Sequence, residues 1–442
     1  MRAAGAVAAA SAAAARRAEG RAVLDAMRMP GSLSLVVGTR SDRPDSSANA
    51  RGPTKMPGRP RPGGAGARAG ARSTAGFHPS TVRQRPARRH REQRRRASRV
   101  RAPGDGGWQD PAMRVDDAVP DVLGGGWVQR TLHLRPDAQG DAVATLVHRR
   151  DAGADAARPA VLYVHGFVDY FFQTHVADAL ADRGYDLYAL DLRDYGRSIR
   201  AGREPNDTRS LAVYAEELDV AVRLVREAHD RVVLLGHSTG GLIAALWAHH
   251  RRGRGPVDAV VLNSPWLDVR GSLLERAVLS PLVHHVVGRV APRLVVSRVG
   301  EHYGRALHAD GGGEWSYDLA WKPYAGFPVR AGFVRAIRRG QAEVARGLDV
   351  DVPVLVLASD ASGPDDRWHD GLLTTDSVLD PADMRRLAPR LGRDVTYEEV
   401  PGGAHDLALS PLPARTRYLD EVVGWLDVTL ARGAARPAGR AS

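Results

Sequence analysis

The sequence predicts an α/β chain built on a mostly parallel, doubly wound sheet with helices on both faces. Two patterns support this: short, fully apolar runs alternate with amphipathic stretches of helical period, and one of those runs leads through Gly236-His237-Ser238-Thr239-Gly240-Gly241 directly into a helical pattern. A third observation sets its limits. Of the 442 residues, the first 112 hold 23 Lys+Arg against 7 Asp+Glu, whereas the rest hold 40 against 44. The basic excess of the whole chain, +12, is therefore confined to its first quarter, and a nucleic-acid partner is not expected for the mildly acidic remainder.

From Ser41 to Arg101 the chain is Arg, Pro, Gly, Ala and Ser with almost no aliphatic or aromatic residues, so it lacks the apolar area that offsets chain entropy. Residues 1–112 are expected to be disordered. The arginine run from Arg83 to Arg99 has the composition of a phosphate-binding arm. The bias towards arginine over lysine favours a plainer reading, in which the natural start lies near Met113 and the preceding residues are a gene-start artefact. No cysteine occurs, which removes disulfides, thiolate metal sites and Cys nucleophiles. The Ala-rich opening lacks the apolar core of a secretory signal, and no strongly apolar run reaches 18 residues. A cytoplasmic protein without stable membrane insertion is expected.

After Met113 the first elements read as a hairpin, Trp127 to Leu134 and Asp141 to His148 around the turn Pro136-Asp137-Ala138-Gln139-Gly140. The apolar runs Ala160 to Val164, Tyr185 to Leu190, Val232 to Leu235, Ala259 to Leu262, Val354 to Leu357 and Val395 to Val400 then predict strands covered on both faces. Helical patterns occupy 172–183, 210–228, 240–251, 382–391 and 415–432. Between Asp268 and Leu348 no strand is evident, and the patterns Leu273 to Val287 and Phe333 to Leu348 suggest a helical cap over the site at about 268–348. The expected organisation is thus a disordered 1–112, a catalytic domain over 113–434 and a disordered tail, 435–442.

The strand-to-helix junction at Ser238 is where a nucleophile elbow belongs. Gly236 and Gly240 let the chain fold on itself, and the helix start turns amide donors towards a developing oxyanion. His405, in the loop Pro401-Gly402-Gly403-Ala404-His405-Asp406 after the last strand, suits the base. Between them lie two candidates for the acid. Asp376, just before a helix start, is favoured over Asp360, which ends the strand Val354 to Leu357. With Asp376, the stretch Ala361 to Thr374 becomes an added excursion. The loop His165-Gly166-Phe167-Val168-Asp169 is expected to give the second oxyanion donor, the Phe167 amide, beside that of Thr239. His165, Gly166 and His237 then serve as loop and elbow supports. His249-His250 and His284-His285 have no carboxylate at ligand spacing, so no metal is expected.

Val164-His165-Gly166, the turn Asp191-Leu192-Arg193-Asp194-Tyr195-Gly196-Arg197-Ser198, the elbow Gly236 to Gly241 and Pro401 to Asp406 together resemble the monoacylglycerol-lipase and serine-aminopeptidase-like branch of the α/β hydrolases. The resemblance covers about residues 125–432. It implies the three-layer α/β-hydrolase fold, no cofactor, and hydrolysis of a small-molecule carboxylic ester through an acyl-enzyme. Trp266, Trp315, Tyr317, Trp321, Tyr324, Phe327 and Phe333 supply either an acyl site or ordinary cap packing. A peptidase of this fold would need carboxylates to hold a substrate amine, for which Glu275, Glu301 and Glu314 are candidates. The fold's aspartate-nucleophile enzymes are disfavoured by Ser238. A scaffold with a nucleic-acid-binding arm is the alternative from another class.

Overall fold

The computed structural model describes residues 114–270 and 286–435. The expectations for 1–112, for most of the pattern Leu273 to Val287, for Glu275 and His284-His285, and for the C-terminal tail beyond Ala435 lie outside them. Eleven strands and seven helices of seven residues or more organise the described part. Strand β1 (Val119–Pro120) precedes β2 (Trp127–Asp137) and β3 (Gly140–Arg149). Strand β4 (Ala160–Val164), helix α1 (Thr174–Asp182) and β5 (Asp186–Asp191) follow, then α2 (Tyr214–Ala228), β6 (Val232–His237), α3 (Thr239–His250) and β7 (Ala259–Asn263). The remainder comprises β8 (Val295–Ser297), α4 (Glu301–Leu307), β9 (Val329–Arg330), α5 (Ala331–Arg346), β10 (Val354–Ser359), α6 (Pro381–Leu387), β11 (Val395–Val400) and α7 (Ala414–Ala435).

Nine strands form one sheet in the order β1-β2-β3-β5-β4-β6-β7-β10-β11. The pairings from β5 to β11 are parallel, and β1, β2 and β3 join as an antiparallel margin. Alternate residues of each central strand enter different cores, which is why these strands read as unbroken apolar runs. Leu162, Leu234, Val260 and Val356 face α2, α3 and α5, whereas Val161, Val233, Val261 and Leu357 face α1 and α7. The result is a three-layer sandwich with the sheet in the middle.

Several sequence expectations shift. Strand β6 runs two residues beyond Leu235 and carries the chain to the elbow itself. The helix expected over 382–391 stops at Leu387 and continues as a 3₁₀ turn, Ala388–Arg390, because Pro389 offers no amide hydrogen. The region 268–348, expected to lack strands, holds the antiparallel pair β8–β9 beside α4 and α5. Two or three residues of sheet pairing are too short to leave a periodic signal. Among the described residues no helix is long and apolar enough to cross a membrane.

Candidate active site

Ser238 stands between β6 and α3 with φ 52° and ψ −115°, a conformation uncommon for a residue with a side chain. Sequence and packing agree on why the neighbours are glycines. A Cβ on Gly236 would lie 2.5 Å from the Gly240 carbonyl oxygen, and one on Gly240 would lie 2.3 Å from that of His165. The turn is further tied down by the Ser238 amide, which donates to the Asn263 carbonyl at 2.9 Å.

His405, in the loop between β11 and α7, has its Nε2 3.1 Å from the Ser238 Oγ and its Nδ1 3.0 Å from Asp376 Oδ2. All three side chains are buried. With Nδ1–H donating to the carboxylate, Nε2 is left to accept the serine proton. Asp376 Oδ1 accepts the amides of Val378 at 2.9 Å and Leu379 at 2.7 Å. Burial alone would raise the Asp376 pKa, but the His405 imidazole and these hydrogen bonds outweigh it and hold the carboxyl below its ordinary value. Asp360, the other candidate acid, is exposed and accepts the Gly402 amide at 2.9 Å. The excursion between them closes on itself, since the Asp376 amide donates to the Ala361 carbonyl at 2.8 Å and Gly363 donates back to Asp376 at 3.0 Å.

The loop after β4 lies directly against the serine: a Cβ on Gly166 would come 3.1 Å from Ser238 Cβ. Phe167 follows at once, and Thr239 opens α3, where amides have no acceptor within their own helix. His165 is locked by both nitrogens, with Nδ1 2.8 Å from the Gly166 carbonyl and Nε2 accepting the Leu192 amide at 3.1 Å. Burial holds its pKa down, as it does for His237, whose Nδ1 lies 3.2 Å from the Asn263 carbonyl.

The aromatic residues divide into two groups. Phe333 stacks on Phe167 with centroids 4.5 Å apart, and Trp266 lies 6.4 Å from Phe333. Trp315, Tyr317 and Trp321 join Tyr170, Phe172 and Leu409 in a separate cluster. Glu301 and Glu314 do not meet; each is exposed and paired with an arginine, Arg305 and Arg415 respectively. The expectation that His249-His250 lacks a carboxylate needs correction, because α5 brings Glu343 to 2.9 Å from His250 Nε2 and 3.9 Å from His249 Nε2. His249 Nδ1 accepts the Asp349 amide at 2.8 Å, which occupies that ring nitrogen.

Sequence reasoning missed a buried group around His237 of the elbow. Asp169, His237 and Asp406 bring a carboxylate oxygen, a ring nitrogen and a second carboxylate oxygen within 4.8 Å of one another. The Lys322 ammonium, 2.5 Å from Asp169 Oδ1, supplies the adjacent cation. One signal was available: Lys322 is one of only two lysines among 63 basic residues.

Residues 155–411 match the family described as serine aminopeptidase, S33. Among curated proteins, the monoacylglycerol lipase of Mycolicibacterium smegmatis is 27% identical over 274 residues, which span 61% of this chain and 88% of that one. Phospholipase YtpA of Bacillus subtilis is 29% identical over 118 residues, 26% of this chain and 44% of the relative. Among solved structures, a soluble variant of monoglyceride lipase from Saccharomyces cerevisiae, in complex with a substrate analogue, has a TM-score of 0.52 at 15% identity. That match covers 67% of this chain and 94% of the yeast one.

Proposed function

Because the chain belongs to the serine aminopeptidase S33 family of α/β hydrolases, we propose that it hydrolyses carboxylic esters through an acyl-enzyme formed on Ser238. The observation that carries this reading is the chain of contacts from Ser238 Oγ through the His405 ring to Asp376, at 3.1 and 3.0 Å, starting from a strained elbow. His405 takes the serine proton as Oγ attacks the ester carbonyl, and Asp376 holds the ring and stabilises the imidazolium. The amides of Phe167 and Thr239 receive the oxyanion. The imidazolium then protonates the departing alcohol, and water, activated by the same ring, releases the acid.

The substrate class is a monoacylglycerol-, lysophospholipid- or small acyl-ester-like molecule, a reading the curated relatives favour. Phe167, Phe333 and Trp266 lie beside the oxyanion loop and offer an apolar wall for an acyl chain. Ester is favoured over peptide chemistry because the cap carboxylates Glu301 and Glu314 are engaged in surface pairs and Asp169 already holds Lys322. The test is hydrolysis of p-nitrophenyl esters of graded chain length and of aminoacyl p-nitroanilides, by the wild type and by Ser238→Ala. Ester turnover lost in the variant is the expected result; turnover of the anilides alone would replace the ester reading with the peptidase one.

A further inference from the structure

Lys322 sits where charge is costly. Its side chain is 15% exposed and Asp169 is 2% exposed, so their pair is shielded from solvent screening. The ammonium also stands 5.5 Å from the ring centroids of Phe172 and Tyr317, within cation–π range of both. Asp169 Oδ2 is buried with no hydrogen-bond partner among the described residues, so Lys322 is the side chain that compensates this carboxylate. In a chain that uses arginine at almost every basic position, the cation at this site is a lysine's compact ammonium.

Asp169 lies in the loop that begins at His165, two residues after Phe167, and leads to α1. Between them Val168 has φ 51°, a rare value for a β-branched residue, and its amide donates to Asn206 Oδ1 at 2.9 Å. The segment bearing Lys322 grips the next residue as well: the Asp318 amide donates to the Tyr170 hydroxyl at 2.7 Å, and Trp321 meets the Tyr170 ring edge-on at 5.1 Å. A strained loop is thus pinned from the side of the inserted segment, with its one ionic contact at Asp169.

We propose that Lys322 is a positioning residue for the oxyanion loop, acting through Asp169 to hold the Phe167 amide in place and so coupling the seating of the 317–324 segment to turnover. The proposal rests on the Ser238 acyl-enzyme reading. Removing the ammonium leaves Asp169 unpaired, and the strained 167–169 backbone relaxes away from the serine.

The test uses the full chain and three variants. Lys322→Met removes the charge at similar length, and the double variant Asp169→Asn/Lys322→Met leaves no unpaired buried charge to unfold the protein. Lys322→Ala leaves room for a small amine. Expected are a kcat about tenfold lower on p-nitrophenyl esters with KM within about twofold, an unmoved pH–rate profile, and faster amide hydrogen exchange in the peptide spanning 165–171. Ethylammonium, but not the same concentration of sodium chloride, restores turnover to Lys322→Ala. A folded double variant with kcat within about twofold of wild type and unchanged exchange over 165–171 overturns the proposal. So does a shifted pH profile with an unchanged plateau, which would assign Lys322 an electrostatic effect on His405. Wild-type turnover and its loss in Ser238→Ala judge the underlying reading separately, and the exchange measurement reads the loop whether or not the ester is cleaved.

Discussion

Replacing Asp376 by Asn tests how the imidazole is held. The Asp376 carboxylate uses Oδ1 for the Val378 and Leu379 amides and Oδ2 for His405 Nδ1–H. An asparagine keeps the two backbone bonds only by placing its oxygen there, which turns its NH₂ towards Nδ1. The ring must then carry its proton on Nε2, where it faces the Ser238 hydroxyl as a donor and takes nothing from it. Loss of the correct tautomer in such a triad lowers kcat by roughly 10⁴, or about 5 kcal/mol of transition-state stabilisation, while KM changes little. Steady-state kinetics on a p-nitrophenyl ester measure this directly. Asp360→Asn is the control, because that side chain is exposed and accepts the Gly402 amide away from His405, and it should leave kcat within about twofold. Near-normal turnover in Asp376→Asn, or an equal loss in Asp360→Asn, would refute the assignment of the acid.

Gly196→Ala is expected to lower stability by about 3 kcal/mol in urea unfolding, because its φ is 46° and a Cβ there would come 2.4 Å from the Tyr170 Cβ and 2.5 Å from Asp191 Oδ2; a midpoint equal to wild type would contradict that packing. Stability should also fall with acid below about pH 6.5. Burial depresses the folded pKa of His165, so the unfolded chain binds the proton first and each such histidine contributes a slope of up to about 1.4 kcal/mol per pH unit until its folded pKa is reached. Urea midpoints between pH 7.5 and 5.5 should therefore drop less steeply for His165→Gln, and parallel slopes would count against the locked neutral ring.

Local chemistry made much of the site legible. Ser238 was readable because the glycines around it answer to backbone crowding, and His405 because it is the one histidine after His369 and stands in the loop after the last strand. The apolar runs revealed the strands for a related reason: residues such as Val233 and Leu234 serve opposite faces of the same sheet. Strand order was not readable, since the placing of β5 between β3 and β4 is decided by how crossovers pack. Asp376 was open to dispute because its claim depends on a closure between Ala361 and Asp376 that no local periodicity encodes. Glu343 beside His250 and Lys322 beside Asp169 are contacts across 93 and 153 residues, invisible to spacing rules.

The pinched excursion before Asp376 has a further meaning for how such a protein changes over time. Its two ends meet in backbone hydrogen bonds, and Asp376, the proposed acid, sits on the far side of that closure. Length added at the exposed tip, 365–368, costs only loop entropy of about 0.6 kcal/mol per doubling, whereas the buried Leu372 and the His369 ring, 3.1 Å from the Ser377 Oγ, tie the rest of the excursion to the residue beside Asp376. That tip is therefore the graft point of the excursion, where added surface meets solvent and leaves the anchored half in place.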